Sequence, residues 1–336
     1  MRAAQWGRNV RHGVAIQTSR YANGGRTRGY GLFSFVNELA DDQERLVAKS
    51  KEVLRGLGRP DDENHVRLFL PGSTDASVQS KSILSALSQT AVIEVHNPRG
   101  RNALSGSMMA ELADVVTILE DPAVQDKLSA VVLRGTAGWF CAGADLRVAK
   151  TELNSREGGT AMGALMMDTL TRFRRLPLVS VALIEGGAYG GGAELSTSCD
   201  FRVVADNAII QFVQAKMGIS PGWGGGTRLY KILGRQHALR LLCTAQKIKA
   251  ADALSLGLAD ETFAYDGVKS ADEAVVKFLQ PFDSVTPEVS HGAKDVITAA
   301  DDVSLDEVLE FEHRIFKTLW GGPANLKALE NALGKK

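Results

Sequence analysis

The 336-residue chain has no excess of charge of either sign: Lys plus Arg and Asp plus Glu each total 39, so the formal net charge is zero. That balance removes the electrostatic footprint of a dedicated nucleic-acid binder. Cysteine is scarce, with Cys141, Cys199 and Cys243 odd in number and far apart, and no CxxC spacing. A disulfide framework and a cysteine-ligated metal are therefore not expected, and the pattern suits a reducing compartment. No apolar run reaches the roughly 18 residues that read as a membrane span. The six histidines, at 12, 65, 96, 237, 291 and 313, are scattered, and this argues against a metal site. Acid is missing from the first 37 residues, which hold six arginines (Arg2, Arg8, Arg11, Arg20, Arg26, Arg28) and no lysine before Glu38. This is the composition of a mitochondrial transit peptide. A cytosolic protein with a basic tail is the alternative.

What is present is a large apolar fraction, 44%, enough for a substantial core. A helix is expected in "ELADDQERLVAKSKEVLRGL", followed by "GRPDDENHVRLFLPGSTDASVQS", whose Gly, Pro, Asp and Ser read as linker and turns. We take residues 1–80 as an N-terminal extension and linker, 81–269 as the core and 270–336 as a helical C-terminal subdomain. Within the core, strands are expected at 91–96, 128–135, 179–186 and in "FRVVAD" and "AIIQFV", with helices at 107–121 and in "TAMGALMMDTLTRFRRL". Strands alternating with helices predict an α/β arrangement with a largely parallel sheet. The run Arg172, Arg174, Arg175 reads as a solvated helix end. Cys141 and Cys199 read as small buried hydrophobes.

Three strands run into glycine-rich turns: "VVLRGTAGWFCAGADL" (131–146), "VALIEGGAYGGGAEL" (181–195) and "KMGISPGWGGGTRL" (216–229). Without Cβ atoms such turns let backbone N–H groups touch a ligand, and two N–H groups from different turns can converge on one oxygen. A strand, a glycine turn and a helix also describe any doubly wound fold, so each stretch alone decides little. A dinucleotide site is disfavoured because no acidic residue follows about 20 positions on at a second strand end.

Together and in this order, with "NPRGRNALSGSMM" before them and "AADALSLGLAD" after, the stretches resemble the crotonase superfamily of enoyl-CoA hydratases and isomerases. The resemblance implies a ββα spiral core with a C-terminal helical subdomain that builds homotrimers or hexamers, an acyl-CoA substrate, and no cofactor beyond the coenzyme A of that substrate. It places the oxyanion donors at the N–H groups of Ala144 and Gly191, and the coenzyme A groove at Arg101, Ala103, Leu104, Ala142, Asp145 and Leu146. Hydratases of the superfamily use two glutamates. Glu194 matches the first, but Gln214 stands at the second, and an amide cannot take a proton from water.

Trp223 in "PGWGGGTRL", the run "AELSTSCDFR" and the C-terminal "LWGGPANLKAL" are similar to the branch of the superfamily that decarboxylates ethylmalonyl-CoA and, less readily, methylmalonyl-CoA. Loss of CO2 from such a thioester leaves an enolate whose charge falls on the oxygen held by Ala144 and Gly191. The substrate carboxylate is then expected near Tyr189, Glu194, Gln214 and Trp223. Glu194 is the first choice to protonate the α-carbon if burial raises its pKa, and Tyr189 the second. Enoyl-CoA hydration or isomerisation is the alternative reading. An acyl-CoA-binding or RNA-binding relative without activity is disfavoured by the intact "GGGAE" and by the neutral charge.

Overall fold

The computed structural model describes residues 32–58, 63–74 and 77–333. Most of the arginine-rich segment 1–37, and with it the transit-peptide expectation, lies outside the described residues.

Among the described residues nine strands form two sheets: β1 (His65–Phe69), β2 (Thr90–His96), β3 (Ala130–Gly135), β4 (Val179–Ile184), β5 (Gly187–Tyr189), β6 (Phe201–Ala205), β7 (Ile209–Gln211), β8 (Ile248–Lys249) and β9 (Glu261–Phe263). The larger sheet has the order β1-β2-β3-β4-β6-β9 and is parallel except for β1, which runs antiparallel to β2. The smaller sheet has the order β5-β7-β8. The chain passes from the large sheet to the small one twice, from β4 to β5 and from β6 to β7, and these passages give the core its spiral form.

Every residue of β3 and β4 is buried. Helices cover both faces of a parallel sheet, so its strands read as unbroken apolar runs rather than alternation. On one face pack the helices Gly106–Leu119 and Arg156–Arg175, with Gln43–Arg55 laid across both. The other face receives Val78–Ala86 and Val268–Asp283. After β9 the chain is helical among the described residues: Pro287–Asp302, Leu305–Leu319 and Pro323–Leu333 follow.

Three sequence expectations are corrected here. The stretch read as linker contains β1, paired residue for residue with β2 from His65↔His96 to Phe69↔Val92, so the sheet starts upstream of residue 81. The arginine run is not merely solvated. Arg172 pairs with Glu120 and Asp168, Arg174 with Asp301, and Arg175 with Asp302 at 2.8 Å, which ties the helix Pro287–Asp302 to the core. The scatter of the histidines along the chain hides the fact that the β1–β2 register stacks His65 on His96, with ring centroids 4.8 Å apart. Cys141 and Cys199 are buried as expected, and burial pushes both thiols up to about 12.

Candidate active site

The three glycine-rich turns meet. The turn after β3 runs beside residue 104, where the Leu104 N–H donates to the Gly143 carbonyl at 2.7 Å and the Asp145 N–H to the Leu104 carbonyl at 2.8 Å. A parallel bridge that uses the groups of residues 143 and 145 in this way leaves the Ala144 N–H facing the opposite side. There it approaches the second turn, which is pinned by the Tyr189 N–H donating to the Cys141 carbonyl at 3.0 Å. Gly191 is the first residue of the helix Gly191–Ser196, and a first helical N–H has no acceptor within its own helix. Among the turn and loop hydrogen bonds of the described residues, neither the Ala144 nor the Gly191 N–H is used.

The three consecutive glycines each have a separate cause. Gly190 has φ 53°, the left-handed region that glycine favours. A Cβ on Gly191 would lie 2.3 Å from Cζ3 of Trp223, and one on Gly192 would lie 2.0 Å from the Cys141 carbonyl oxygen. Opposite them, Gly143 has φ 95°, and a Cβ there would stand 2.9 Å from the Gly191 nitrogen. A side chain at 143 would therefore fill the space in front of that N–H.

Glu194, 2% exposed, sits behind the second turn. Its Oε1 accepts from the backbone N–H groups of Trp223 and Gly225, each at 3.0 Å, and its Oε2 accepts from Nε2 of Gln214 at 2.9 Å. Burial raises its pKa above the ordinary glutamate value, and these three donors with the nearby Arg228 only partly offset that. Arg228 is buried too, and desolvation lowers it to about 10. Its Nη2 donates to the carbonyls of Glu194 at 3.2 Å and Trp223 at 2.8 Å, which fixes the two turns to each other. The sequence "GGGTRL" contains this arginine, but its role depends on the carbonyl of Glu194, 34 positions away, and gives no local signal.

Of the predicted site residues, Ala144, Tyr189, Gly191, Glu194, Gln214 and Trp223 are brought together. Trp223 is 3% exposed and its ring covers Gly191. Half-buried Tyr189 lies beside Trp139, with centroids 6.1 Å apart, and the Arg101 guanidinium lies 4.7 Å from the Trp139 centroid. A strip of Arg101, Trp139 and Tyr189 thus leads from the expected coenzyme A groove to the oxyanion turns. Trp139 was not singled out in the sequence. Asp145 caps the helix Leu146–Thr151 by accepting from the Arg147 N–H at 2.7 Å, and Leu146 and Arg101 are exposed. Leu104 is fully buried and Ala103 nearly so, and the Leu104 N–H and carbonyl are both used by the bridge to residues 143 and 145, so Leu104 holds the turn in place rather than lining the groove. Beneath the site, Arg134 lies between Glu185 at 3.2 Å and Asp272 at 2.6 Å, all three buried.

Residues 86–322 match the family described as Enoyl-CoA hydratase/isomerase. The chain belongs to that family. Among its relatives, ethylmalonyl-CoA decarboxylase of Mus musculus is 41% identical over 238 residues, covering 71% of this chain and 73% of that protein. Ethylmalonyl-CoA decarboxylase of Danio rerio is 44% identical over 241 residues, covering 71% and 78%. The crystal structure of enoyl-CoA hydratase from Bacillus anthracis is similar with a TM-score of 0.68 and 28% identity, over 74% of this chain and 93% of that one. Pseudomonas aeruginosa AtuE is similar with a TM-score of 0.68 and 26% identity, over 74% and 94%. This membership accounts for the mixed α/β, parallel-rich architecture and makes a coenzyme A thioester the expected class of substrate.

Proposed function

We propose that this member of the family decarboxylates ethylmalonyl-CoA to butyryl-CoA and CO2, and methylmalonyl-CoA to propionyl-CoA less readily. The observation that carries the reading is the pairing of Glu194 with Gln214 rather than with a second carboxylate. A hydratase must activate water and also protonate carbon. One carboxyl group beside an amide suffices for a reaction that begins with loss of CO2 and ends with one proton transfer. The names of the decarboxylase relatives agree with this.

The geometry supports the following steps. The thioester oxygen lies between the Ala144 and Gly191 N–H groups. The bond between the carboxylate carbon and the α-carbon breaks, its electron pair passes into the thioester as an enolate, and the charge develops on the oxygen those donors face. Loss of one such donor typically costs about 2.7–4 kcal/mol. The buried Trp223 ring keeps water from the leaving carboxylate. Glu194 then delivers a proton to the α-carbon and regains one from water, with Tyr189 as the other donor within the site. The thioester is itself the electron sink, so this chemistry calls for no cofactor.

Two further readings belong to the proposal. The apolar residues left exposed on the C-terminal helices, among them Leu305, Leu309, Phe316 and Trp320, support a homotrimer or hexamer in which they are covered. Trp320 is 63% exposed in the single chain and stacks on Phe316. The six arginines of residues 1–37 support a mitochondrial matrix location, with cytosol as the alternative. The test of function is incubation of the protein with ethylmalonyl-CoA, methylmalonyl-CoA and crotonyl-CoA, with products followed by mass. Butyryl-CoA from the first is expected. Its absence, with 3-hydroxybutyryl-CoA formed from crotonyl-CoA, would replace the reading with hydration.

A further inference from the structure

Away from the oxyanion turns, at the edge of the large sheet, one face of the β1–β2 pair carries His65, Glu94 and His96. His65 and His96 are direct cross-strand partners, and Glu94, two residues before His96, points to the same side. One ligand atom from each residue can be chosen so that all three lie within 4.8 Å of one another. They line a cavity of about 370 Å³, together with Arg67, Thr136 and others.

The neighbours of the two imidazoles decide which ring nitrogens are free. Nδ1 of His65 is 2.5 Å from the Glu63 carbonyl oxygen, so that nitrogen carries the proton and donates it. Nδ1 of His96 is 3.1 Å from Oγ1 of Thr136. The Thr136 hydroxyl also has Oδ1 of Asn102 within reach at 3.3 Å, and when it donates there it accepts from Nδ1 of His96. These partners engage Nδ1 of each ring and leave Nε2 of each as the nitrogen that can ligate a metal. A hydrogen bond that fixes the other ring nitrogen is the usual companion of such a ligand.

Glu94 is 2% exposed, and its Oε2 accepts from the hydroxyls of Ser77 at 2.5 Å and Ser80 at 2.8 Å. Among the described residues it forms no ion pair within 4.0 Å, although Arg67 is its cross-strand partner. A carboxylate so deeply buried is normally paired with a cation or bound to a metal. Its cross-strand partner on β3 is the buried Arg134, which pairs with Glu185 and Asp272.

We propose that His65, Glu94 and His96 form a binding site for one divalent transition-metal ion of the zinc type, with a fourth position open to the cavity. Two imidazoles and a carboxylate are a ligand set that Zn2+ accepts, and three protein ligands with one open position are its usual arrangement where solvent or a small molecule reaches the ion. Ligand atoms around a tetrahedral ion at about 2.0–2.2 Å stand roughly 3.4 Å apart, so a pair 4.8 Å apart needs to close by about 1.4 Å. Arg67, exposed at the cavity mouth, is placed to attract an anion to the open position.

The experiment uses the full-length protein after treatment with a chelator, titrated with Zn2+ alone by calorimetry. One equivalent is expected to bind and to raise Tm, since a ligand that binds only the folded chain stabilises it. Glu94→Gln and the double variant His65→Gln/His96→Gln should each weaken binding at least a hundredfold and lose the rise in Tm. Cys243→Ser, which removes the exposed thiol, should bind as the parent does. Glu94→Gln keeps an oxygen for both serine hydroxyls, so its metal-free Tm should lie within a few degrees of the parent. A readout that needs no variant is nitrogen NMR of the parent, in which two imidazole Nε2 resonances should move together up to one equivalent. Absence of stoichiometric binding, binding that survives the double-histidine variant, or a titration that moves no imidazole pair would each overturn the assignment.

Discussion

Gly191→Ala is the substitution that tests the oxyanion turn most directly. The backbone of Gly191 is not in the left-handed region, so alanine brings no conformational strain there. The whole effect comes from Trp223, whose Cζ3 and Cη2 would lie 2.3 and 2.5 Å from the new methyl group. Ordinary carbon contacts are about 3.5–4.0 Å, so ring or helix start must move by more than about 1 Å. Trp223 has little freedom, because its ring is buried and its backbone N–H and carbonyl are held by Glu194 and Arg228. Displacing one oxyanion donor by that amount should lower kcat by about 10²–10³. Overpacking of this kind should cost about 1–3 kcal/mol of stability. Trp223→Leu makes room, so in Gly191→Ala/Trp223→Leu the N–H returns to its place. The double variant should fall within about tenfold of Trp223→Leu alone, giving a coupling of roughly 1.4 kcal/mol or more against additivity. The assay is butyryl-CoA formation from ethylmalonyl-CoA, with product affinity measured alongside to separate binding from chemistry. Undiminished turnover in Gly191→Ala, or losses that simply multiply, would refute the placement of the donor.

Glu194→Gln should lower decarboxylation by about 10²–10⁴ with the fold intact, because the amide oxygen can take the two backbone donors of Oε1; a rate equal to the parent's would exclude Glu194 as the acid. In the parent, kcat should fall as pH rises through the raised pKa of Glu194, and the variant should lack that limb. A carboxyl whose folded pKa is raised stabilises most below its unfolded value and loses that contribution as pH rises through the folded one. The Tm of Glu194→Gln relative to the parent should therefore be higher at pH 8 than at pH 5, and a reversed trend in the melting curves would contradict the burial argument. Arg134→Met leaves Glu185 and Asp272 as buried carboxyls without their cation and should cost about 3–5 kcal/mol. Burial already raises both carboxyl pKa values, so this deficit should be larger at pH 8 than at pH 5, read from denaturant midpoints.

The parts of the fold that the sequence showed were those with local signals. The runs that became β2, β3, β4 and β6 are apolar because each is covered on both faces, and the glycine turns after them are marked by composition. Of the four strands of two or three residues, β7 lies within the apolar run "AIIQFV" and was legible, whereas β5, β8 and β9 have no such run to mark them, and β1 hides among Pro, Asp and Gly. Partners that arrive through register left no local trace. His65 and His96 are 31 positions apart, a distance bridged only by the β1–β2 pairing, and the ion pairs of Arg174 and Arg175 join residues 127 positions apart.

The glutamine at 214 shows the same division between local chemistry and assembled geometry. In sequence it is a missing base. In the structure Oε1 of Glu194 is occupied by two backbone N–H groups that cannot turn away, so a proton on this carboxyl must sit on Oε2, which faces Gln214. A glutamate at 214 would set two carboxyls against each other. The amide suits both states of Glu194: its NH2 donates to the carboxylate, and after a half-turn its oxygen accepts from the acid. In the carboxylate state that oxygen, Oε1 of Gln214, is buried without a partner. An unmet acceptor beside a carboxyl whose pKa burial raises lowers the cost of turning the amide when Glu194 takes up a proton. Gln214 is thus better understood as the group that lets one carboxyl hold and release a proton than as the remnant of a lost second base.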